Sequence, residues 1–154
     1  MFENPEIADS PGQDVASVRL CIPREQIREV MGPGIMEIFG VLGAQGIAPA
    51  GAWLTHHFRV DPALFDFEIC VPVSRPVAEQ GRVKPGKLRA TRVVRALLKG
   101  PYEQLSTTWP AFMAWIDAQG LQKAGDMWEV YEVGPESGPD PASYRTTLNV
   151  ALRA

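Results

Sequence analysis

Hydrophobic and polar residues alternate along several short stretches of this chain, and a period of two is the pattern of β-strands. Residues 15–22 place Ala16, Val18, Leu20 and Ile22 on one face. Strand character recurs in five further stretches, at residues 50–60, 65–73, 88–99, 127–133 and 144–152. The pattern therefore predicts a chain rich in strands.

Two segments have the helical spacing of apolar residues instead. We predict helices from Pro33 to Gly46 and from Pro101 to Gly120, because proline suits the first turn of a helix and glycine its C-terminal end. Their apolar positions are Ile35, Ile38, Phe39 and Leu42 in the first helix and Leu105, Trp109, Phe112 and Ile116 in the second. An additional helical turn over residues 24–30, with Gly32-Pro33 as a kink, stays open.

The elements follow the order strand-helix-strand-strand twice, which indicates an internal duplication. Gln45-Gly46 precedes Gln119-Gly120 by 74 residues (119 − 45), and Trp53 precedes Trp128 by 75 (128 − 53). We therefore predict an α+β fold with two β-α-β-β repeats, a joined antiparallel sheet, two helices on one face and a central cleft. Residues 15–154 are expected to form one domain, with repeats over about 15–75 and 88–152, and residues 1–14 an N-terminal tail.

Composition narrows the class of protein. Of the 154 residues 45% are apolar and 21% charged, and the net charge is −3, which is ordinary for a single globular domain.

No basic stripe suited to duplex DNA is present, so we expect no direct nucleic-acid partner. We find neither a signal peptide nor an apolar run of bilayer length, so we expect a cytoplasmic protein without a membrane partner. Cys21 and Cys70 form no CxxC pair and are expected to be reduced thiols.

Motifs for metals, cofactors and common nucleophiles are missing from the sequence. It contains no HExxH, clustered Cys/His, P-loop, G-x-G-x-x-G or G-x-S-x-G pattern. We therefore expect no metal and no cofactor. His56 and His57 are adjacent on a predicted strand, so at most one of them faces a given side.

The most informative stretch is the predicted strand at residues 127–133. Glu129 and Tyr131 share one face of it, and Trp128 and Val130 share the other. A carboxylate on an apolar strand is costly unless a positive or hydrogen-bonding group meets it. Two interpretations remain open: an internal salt bridge with Arg92 or Arg95, and a cationic or hydroxylated ligand.

The repeat extends this candidate site. With the tryptophans aligned, Glu129 corresponds to Leu54 and Tyr131 to His56. Aromatic side chains suit stacking and cation–π contact with a flat or cationic molecule. The candidate ligand-binding residues are Glu129, Tyr131, Trp53, His56, Phe39, Trp109 and Phe112, of which the three helix residues also suit plain core packing.

Four stretches together resemble the GyrI-like small-molecule-binding domain, the gyrase-inhibitor-like family that also serves as effector-binding domain of bacterial AraC-type and multidrug-sensing regulators. The resemblance runs from about residue 15 to 152. The stretches are Phe65-Asp66-Phe67-Glu68 with Val71-Pro72-Val73, Gly100-Pro101-Tyr102-Glu103-Gln104-Leu105, Trp128-Glu129-Val130-Tyr131, and Asp140-Pro141 with Arg145-Thr146.

The resemblance implies a hydrophobic cleft in which Glu129 is the buried glutamate that meets cationic aromatic drugs. It implies a binder of amphipathic, aromatic or cationic molecules that acts as a sensor or sequestering protein. The chain has no spare length for a helix-turn-helix, which suggests a free-standing member. It departs from many relatives at Leu88-Arg89-Ala90 and at His56-His57, so ligand preference is expected to differ.

The resemblance also leaves two other functions open. Some free-standing members are hydrolases of cyclopropane-bearing toxic compounds, which would give Glu129 the role of general base and Tyr131 or His56 that of polarising the leaving group. A modulator of a topoisomerase partner is the third. Whether this chain turns a substrate over is not decided by its sequence.

Overall fold

The computed structural model describes residues 2–135 and 138–153 and contains eight strands and two helices. The strands are β1 (Phe2–Ser10), β2 (Gln13–Pro23), β3 (Leu54–His57), β4 (Leu64–Pro72), β5 (Lys84–Leu88), β6 (Thr91–Lys99), β7 (Lys123–Val133) and β8 (Arg145–Leu152). The helices are α1 (Ile27–Gln45) and α2 (Leu105–Ala118). None of the described helices is long and apolar enough to cross a membrane.

Contacts divide the chain into two compact units. The first unit is Pro11–Ala90, and the second unit combines Met1–Ser10 with Thr91–Ala154. Each contains one helix and four antiparallel strands, in the order β5-β2-β4-β3 in the first and β1-β6-β8-β7 in the second. Both units therefore have the same β-α-β-β order with one added edge strand. The predicted α+β fold class and its duplication are confirmed.

Each helix covers one side of the strands in its own unit, and we call this side the helix-facing side. In the first unit Ile38 and Leu42 of α1 pack on Phe67 and Ile69 of β4. In the second unit Phe112 and Ile116 of α2 pack with β6, β7 and β8 residues, which are Val94, Ala96, Leu98, Met127, Leu148, Val150 and Leu152. Along each strand, every second side chain points to the helix-facing side, and the side chains between them point away from the helix.

The helix starts differ from the prediction. A 3₁₀ turn at Arg24–Gln26 leads into α1, which begins at Ile27 and keeps Pro33 in its interior. A second 3₁₀ turn at Tyr102–Gln104 leads into α2, and Pro110 also lies inside that helix. The expected C-terminal glycines are correct, because Gly46 (φ 67°) and Gly120 (φ 72°) adopt the left-handed conformation that favours glycine.

The expectation of an N-terminal tail is wrong for Phe2–Ser10. This segment is β1 and pairs with β6, with a register shift between Glu3 and Glu6. The Phe2 ring lies 5.1 Å from the Phe112 ring, so the strand is anchored in the core of the second unit. Its proline, Pro5, and its charged residues hide the strand pattern in the sequence. Such residues are common on edge strands because they discourage further pairing.

The tryptophan alignment is also wrong, by one residue. Trp53 packs on the core of the first unit, whereas Trp128 pairs with Asn149 on the side of β7 that faces away from α2. A shift of one residue moves a strand residue to the opposite face. The glycine offset of 74 preserves the faces and makes Thr55 and His57 the counterparts of Glu129 and Tyr131, in place of Leu54 and His56.

Candidate functional site

Glu129 and Tyr131 lie side by side on β7, on the helix-facing side. Their cross-strand partners Leu148 and Thr146 are both buried, and Leu148 belongs to the core of the second unit. Only 8% of the Glu129 surface is exposed. The Tyr131 hydroxyl donates a long hydrogen bond of 3.4 Å to Oε2 of Glu129. The predicted shared face therefore brings a carboxyl and a phenol together inside an apolar environment.

The Glu129 carboxyl is strongly perturbed by this environment. Burial raises the pKa of Glu129 from its ordinary value of 4.5 to about 7, because the ionised form has lost its hydration. Hydrogen bonding from the side chains of Trp109 and Tyr131 acts in the opposite direction and lowers this pKa. The result is a carboxyl that exchanges its proton near neutral pH.

The two arginines considered as internal partners are engaged elsewhere. Nε of Arg92 lies 3.7 Å from a carboxylate oxygen of Asp9, and Nε of Arg95 donates to Asn149 over 2.8 Å. Among the described residues no cationic side chain offsets the burial of Glu129. The interpretation as an internal salt bridge with Arg92 or Arg95 is therefore wrong.

The three tyrosines of the chain are linked by ring contacts that begin at Tyr131 beside this carboxyl, and we call Tyr102, Tyr131 and Tyr144 the tyrosine cluster. The Tyr102 ring meets the Tyr131 ring edge-to-face at 5.6 Å and lies 5.0 Å from the Tyr144 ring. Sequence reasoning found only Tyr131. Tyr102 lies in the 3₁₀ turn before α2 and Tyr144 just before β8, so no periodic pattern links them.

Thr146 was also missed as a site residue. It is fully buried on β8, opposite Tyr131, and within the part of the chain that the structure describes its hydroxyl has no hydrogen-bond partner. A buried hydroxyl without a partner is uncommon, because losing its water contacts has a free-energy cost. The polar threonine in an apolar strand was the available signal, but its pairing with Tyr131 needed the register.

The two aromatic residues proposed from α2 have different surroundings. Trp109 is partly buried and reaches Glu129 as a hydrogen-bond donor. Phe112 is fully buried, with its ring 6.2 Å from Trp109 and 6.3 Å from Trp115. The structure thus gives Trp109 a place at the carboxyl and Phe112 a place in the core of the second unit.

The remaining candidates belong to the first unit. Trp53 is partly buried on its core, and Phe39 on α1 is 38% exposed. His56 is buried, and its Nδ1 lies 3.6 Å from Oε1 of Glu68 on the side that faces away from α1. Its neighbour His57, which was not proposed, occupies the helix-facing side.

Comparison with known proteins identifies the family. The model of the GyrI-like small molecule binding domain matches residues 3–153. The chain belongs to the GyrI-like family. Among curated protein sequences, none matches this chain.

Several solved structures have the same fold. The C-terminal domain of EcmrR superposes with a TM-score of 0.86 at 19% identity, covering 99% of this GyrI-like chain and 98% of that domain. This chain spans only 57% of the EcmrR chain in the EcmrR–DNA complex, with a TM-score of 0.86 and 21% identity.

Two further solved structures share the fold at lower TM-scores. SAV2435, solved with bound tetraphenylphosphonium, gives a TM-score of 0.72 at 10% identity and covers 99% of this chain and 95% of its own. A hydrolase from Listeria innocua gives 0.66 at 13% identity, over 97% of this chain and 91% of its own. At these identities the likeness establishes the fold.

Proposed function

We propose that this GyrI-like protein binds cationic amphipathic aromatic molecules in the cytoplasm and uses Glu129 as the countercharge. The observation that carries the proposal is a buried carboxyl with no positive partner among the described residues and a pKa raised to about 7. Such a group is destabilised when ionised, and a cation placed beside it restores the missing charge interaction.

The aromatic surroundings suit the same class of ligand. Trp109 and Tyr131 lie at the carboxyl, and Tyr102 and Tyr144 extend the aromatic surface. Aromatic faces attract a cation and stack on flat rings, most strongly where water is excluded. That SAV2435 was solved with a phosphonium whose charge is covered by phenyl groups supports this chemistry. The protein would act as a sensor or as a sequestering protein for such compounds.

Glu129→Gln tests the countercharge directly, because it keeps the shape of the side chain and removes its ionisation. The dissociation constant for tetraphenylphosphonium, measured by calorimetry at about pH 8, should rise about 10- to 150-fold, the equivalent of roughly 1.5–3 kcal/mol for a charge-assisted contact. Triphenylphosphine oxide, a neutral molecule with similar rings, should lose much less affinity.

In the wild type the phosphonium should bind more tightly as the pH rises through about 7, because the cation selects the ionised carboxylate.

Glu132→Gln is the matched control. Glu132 lies on the same strand, is exposed and accepts a hydrogen bond from Thr147 at 3.3 Å, so its replacement removes an equal charge without touching the site. If both glutamine variants bind the phosphonium as the wild type does, Glu129 is not the countercharge. Equal losses in the two variants would point to a long-range effect of net charge.

The proton exchange of Glu129 near neutral pH favours a second candidate function. A carboxyl with a pKa of about 7 can take a proton from water and return it, which is the behaviour of a general base, and the Tyr131 hydroxyl beside it would polarise a leaving group. Hydrolysis of a strained cyclopropane-bearing compound fits this pair. Incubation of such a compound with the wild type and with Glu129→Gln, followed by mass spectrometry, should give the hydrated product only with the wild type. No product with either protein would leave binding as the function.

A further inference from the structure

In the second unit, the side of β6, β7 and β8 that faces away from α2 carries a partly buried arginine, and we call this side the reverse side. Arg95 of β6 lies on it, because it alternates with Val94 and Ala96, which pack in the core with α2. Nε of Arg95 donates a hydrogen bond of 2.8 Å to Oδ1 of Asn149, its cross-strand partner on β8. Asn149 is only 2% exposed, so this bond fixes the orientation of the guanidinium group.

The terminal nitrogens of Arg95 are left for another group. Among the described residues, neither Nη1 nor Nη2 has a hydrogen-bond partner, and no carboxylate forms an ion pair with this side chain. Glu6, the cross-strand partner of Arg95 on the edge strand β1, is exposed and forms no such pair. The two terminal N–H groups of a guanidinium match the two oxygens of a carboxylate. Arg95 is therefore oriented for a carboxylate that the described residues do not supply.

Two further cations add to the positive charge of the reverse side. Lys99 and Arg145 lie directly opposite each other on β6 and β8, on the same side as Arg95. Nζ of Lys99 lies 3.7 Å from a carboxylate oxygen of Glu3, whereas Nη1 of Arg145 donates to three backbone carbonyl groups. The nearby carboxylates are all exposed, and they are Glu3, Glu6 and Glu132. Water therefore screens their charge more than it screens the partly buried guanidinium of Arg95.

A partly apolar row adjoins Arg95 on the reverse side. Leu97, Thr147 and Val130 are cross-strand neighbours on β6, β8 and β7, and each is only partly buried. This row is two residues from Arg95, which is about 6.6–6.8 Å along the strand. The Thr147 hydroxyl donates to Oε1 of Glu132 over 3.3 Å, so Leu97 and Val130 supply the apolar surface. A fused aromatic ring system has about the length needed to reach this surface from the guanidinium.

We propose that Arg95, held in place by Asn149, anchors a second binding position on the reverse side of the second unit, and that this position takes small aromatic carboxylates. The carboxylate accepts hydrogen bonds from Nη1 and Nη2 of Arg95, and the attached rings lie on Leu97 and Val130. Strand alternation separates this position from Glu129, because Glu129 lies on the helix-facing side of β7 and Val130 on the reverse side. The two positions select ligands of opposite charge, and neither depends on the other.

The probe is 2-naphthoate, and 2-naphthamide, with the same rings and no charge, is its neutral counterpart. Calorimetry at about pH 7.5, where the carboxyl of the probe is ionised, should show naphthoate binding to the whole chain and much weaker binding of the amide. Arg95→Gln should raise the dissociation constant for naphthoate at least about tenfold, the scale of a charge-assisted hydrogen bond. Arg92→Gln is the matched control, because Arg92 lies on the same strand, is exposed and pairs with Asp9 on the helix-facing side.

Two further variants test the geometry of the guanidinium. Asn149→Asp keeps the shape of the side chain and places a carboxylate beside Nε of Arg95, so it neutralises the guanidinium from within. This variant should weaken naphthoate binding as Arg95→Gln does. Arg95→Lys keeps the charge and loses the pair of matched N–H groups, so it should recover only part of the affinity.

The contact can also be observed at the arginine itself. In ¹⁵N-labelled protein, the Nε–H signal that is absent from Arg95→Gln belongs to Arg95. That signal should move when 2-naphthoate is added and stay in place when 2-naphthamide is added. Glu129→Gln should bind naphthoate as the wild type does.

Three results would overturn the proposal. The first is a wild-type protein that does not bind naphthoate, and the second is an equal loss of affinity in Arg92→Gln and Arg95→Gln, which would indicate a general effect of net charge. The third is loss of naphthoate binding in Glu129→Gln with Arg95→Gln unaffected, which would place the molecule at the carboxyl on the helix-facing side.

Discussion

Through Glu129 alone, the protein should lose about 3 kcal/mol of its free energy of unfolding as the pH rises from about 4.5 to above 7. The pKa of this carboxyl is 4.5 in its ordinary state and about 7 in the folded protein. Between those values the folded protein holds a proton that the unfolded chain has released. Raising the pH therefore favours the unfolded chain, and the contribution is complete below about 4.5 and lost above about 7.

The measurement is chemical denaturation of wild type and Glu129→Gln at several pH values from about 4 to 8.5. The difference between the two curves is the readout, because His57, whose pKa is lowered to about 4, changes stability in the opposite direction between its folded and ordinary values. Glu129→Gln should become the more stable protein by about 3 kcal/mol at the alkaline end. Glu132→Gln should follow the wild type. Parallel curves for wild type and Glu129→Gln would show that the carboxyl is well solvated or paired.

Phe112→Ala should lower the free energy of unfolding by about 3–5 kcal/mol, because it removes a fully buried ring and leaves a cavity. The Phe112 ring contacts Phe2, Trp109 and Trp115, so the cavity would open where β1 and α2 meet. Phe39→Ala is the matched control on the other helix. Phe39 is 38% exposed, and its loss should change stability by about 1 kcal/mol or less.

The same pair distinguishes core packing from ligand contact. Both phenylalanines were candidates for a ligand-binding wall. With Phe112 in the core, Phe112→Ala should bind tetraphenylphosphonium within about threefold of wild type at a temperature where the variant stays folded, since less than 1 kcal/mol would then be lost. A stable Phe112→Ala protein with a large loss of phosphonium affinity would return Phe112 to the binding site.

Local patterns determined the fold class and the repeated strand-helix-strand-strand order, but not the two edge strands β1 and β5. Alternation marks β2, β4, β6, β7 and β8, and helical spacing marks α1 and α2, because each element must present an apolar face to a core. The left-handed glycines Gly46 and Gly120 mark both helix ends and give the correct offset of the repeat. Glu129 could also be singled out from the sequence, because an isolated carboxyl on an apolar strand is energetically unusual.

The pairing of each strand with its neighbours determined features of the fold that local sequence patterns could not predict. Phe2–Ser10 has a charged, proline-containing sequence, and it becomes a strand because β6 offers it a backbone ladder and Phe112 a ring to pack on. Trp53 and Trp128 looked equivalent, yet Trp53 lies just before β3 and packs on the core of the first unit, whereas Trp128 lies on the side of β7 that faces away from α2, since a one-residue offset exchanges the two faces.

Some residues of the candidate site could be found from the sequence, and others only from the tertiary structure. The sequence placed Glu129 and Tyr131 on one face, because residues two apart on a strand always share a face. It favoured His56 over His57, and the cross-strand partners Glu68 and Phe67 put His57, and not His56, on the helix-facing side. Tyr102 and Thr146 meet Tyr131 from a turn and from a neighbouring strand, and Tyr144, just before β8, meets Tyr102. Their meeting depends on the strand register and on the packing of α2, which are properties of the whole fold and not of any short segment.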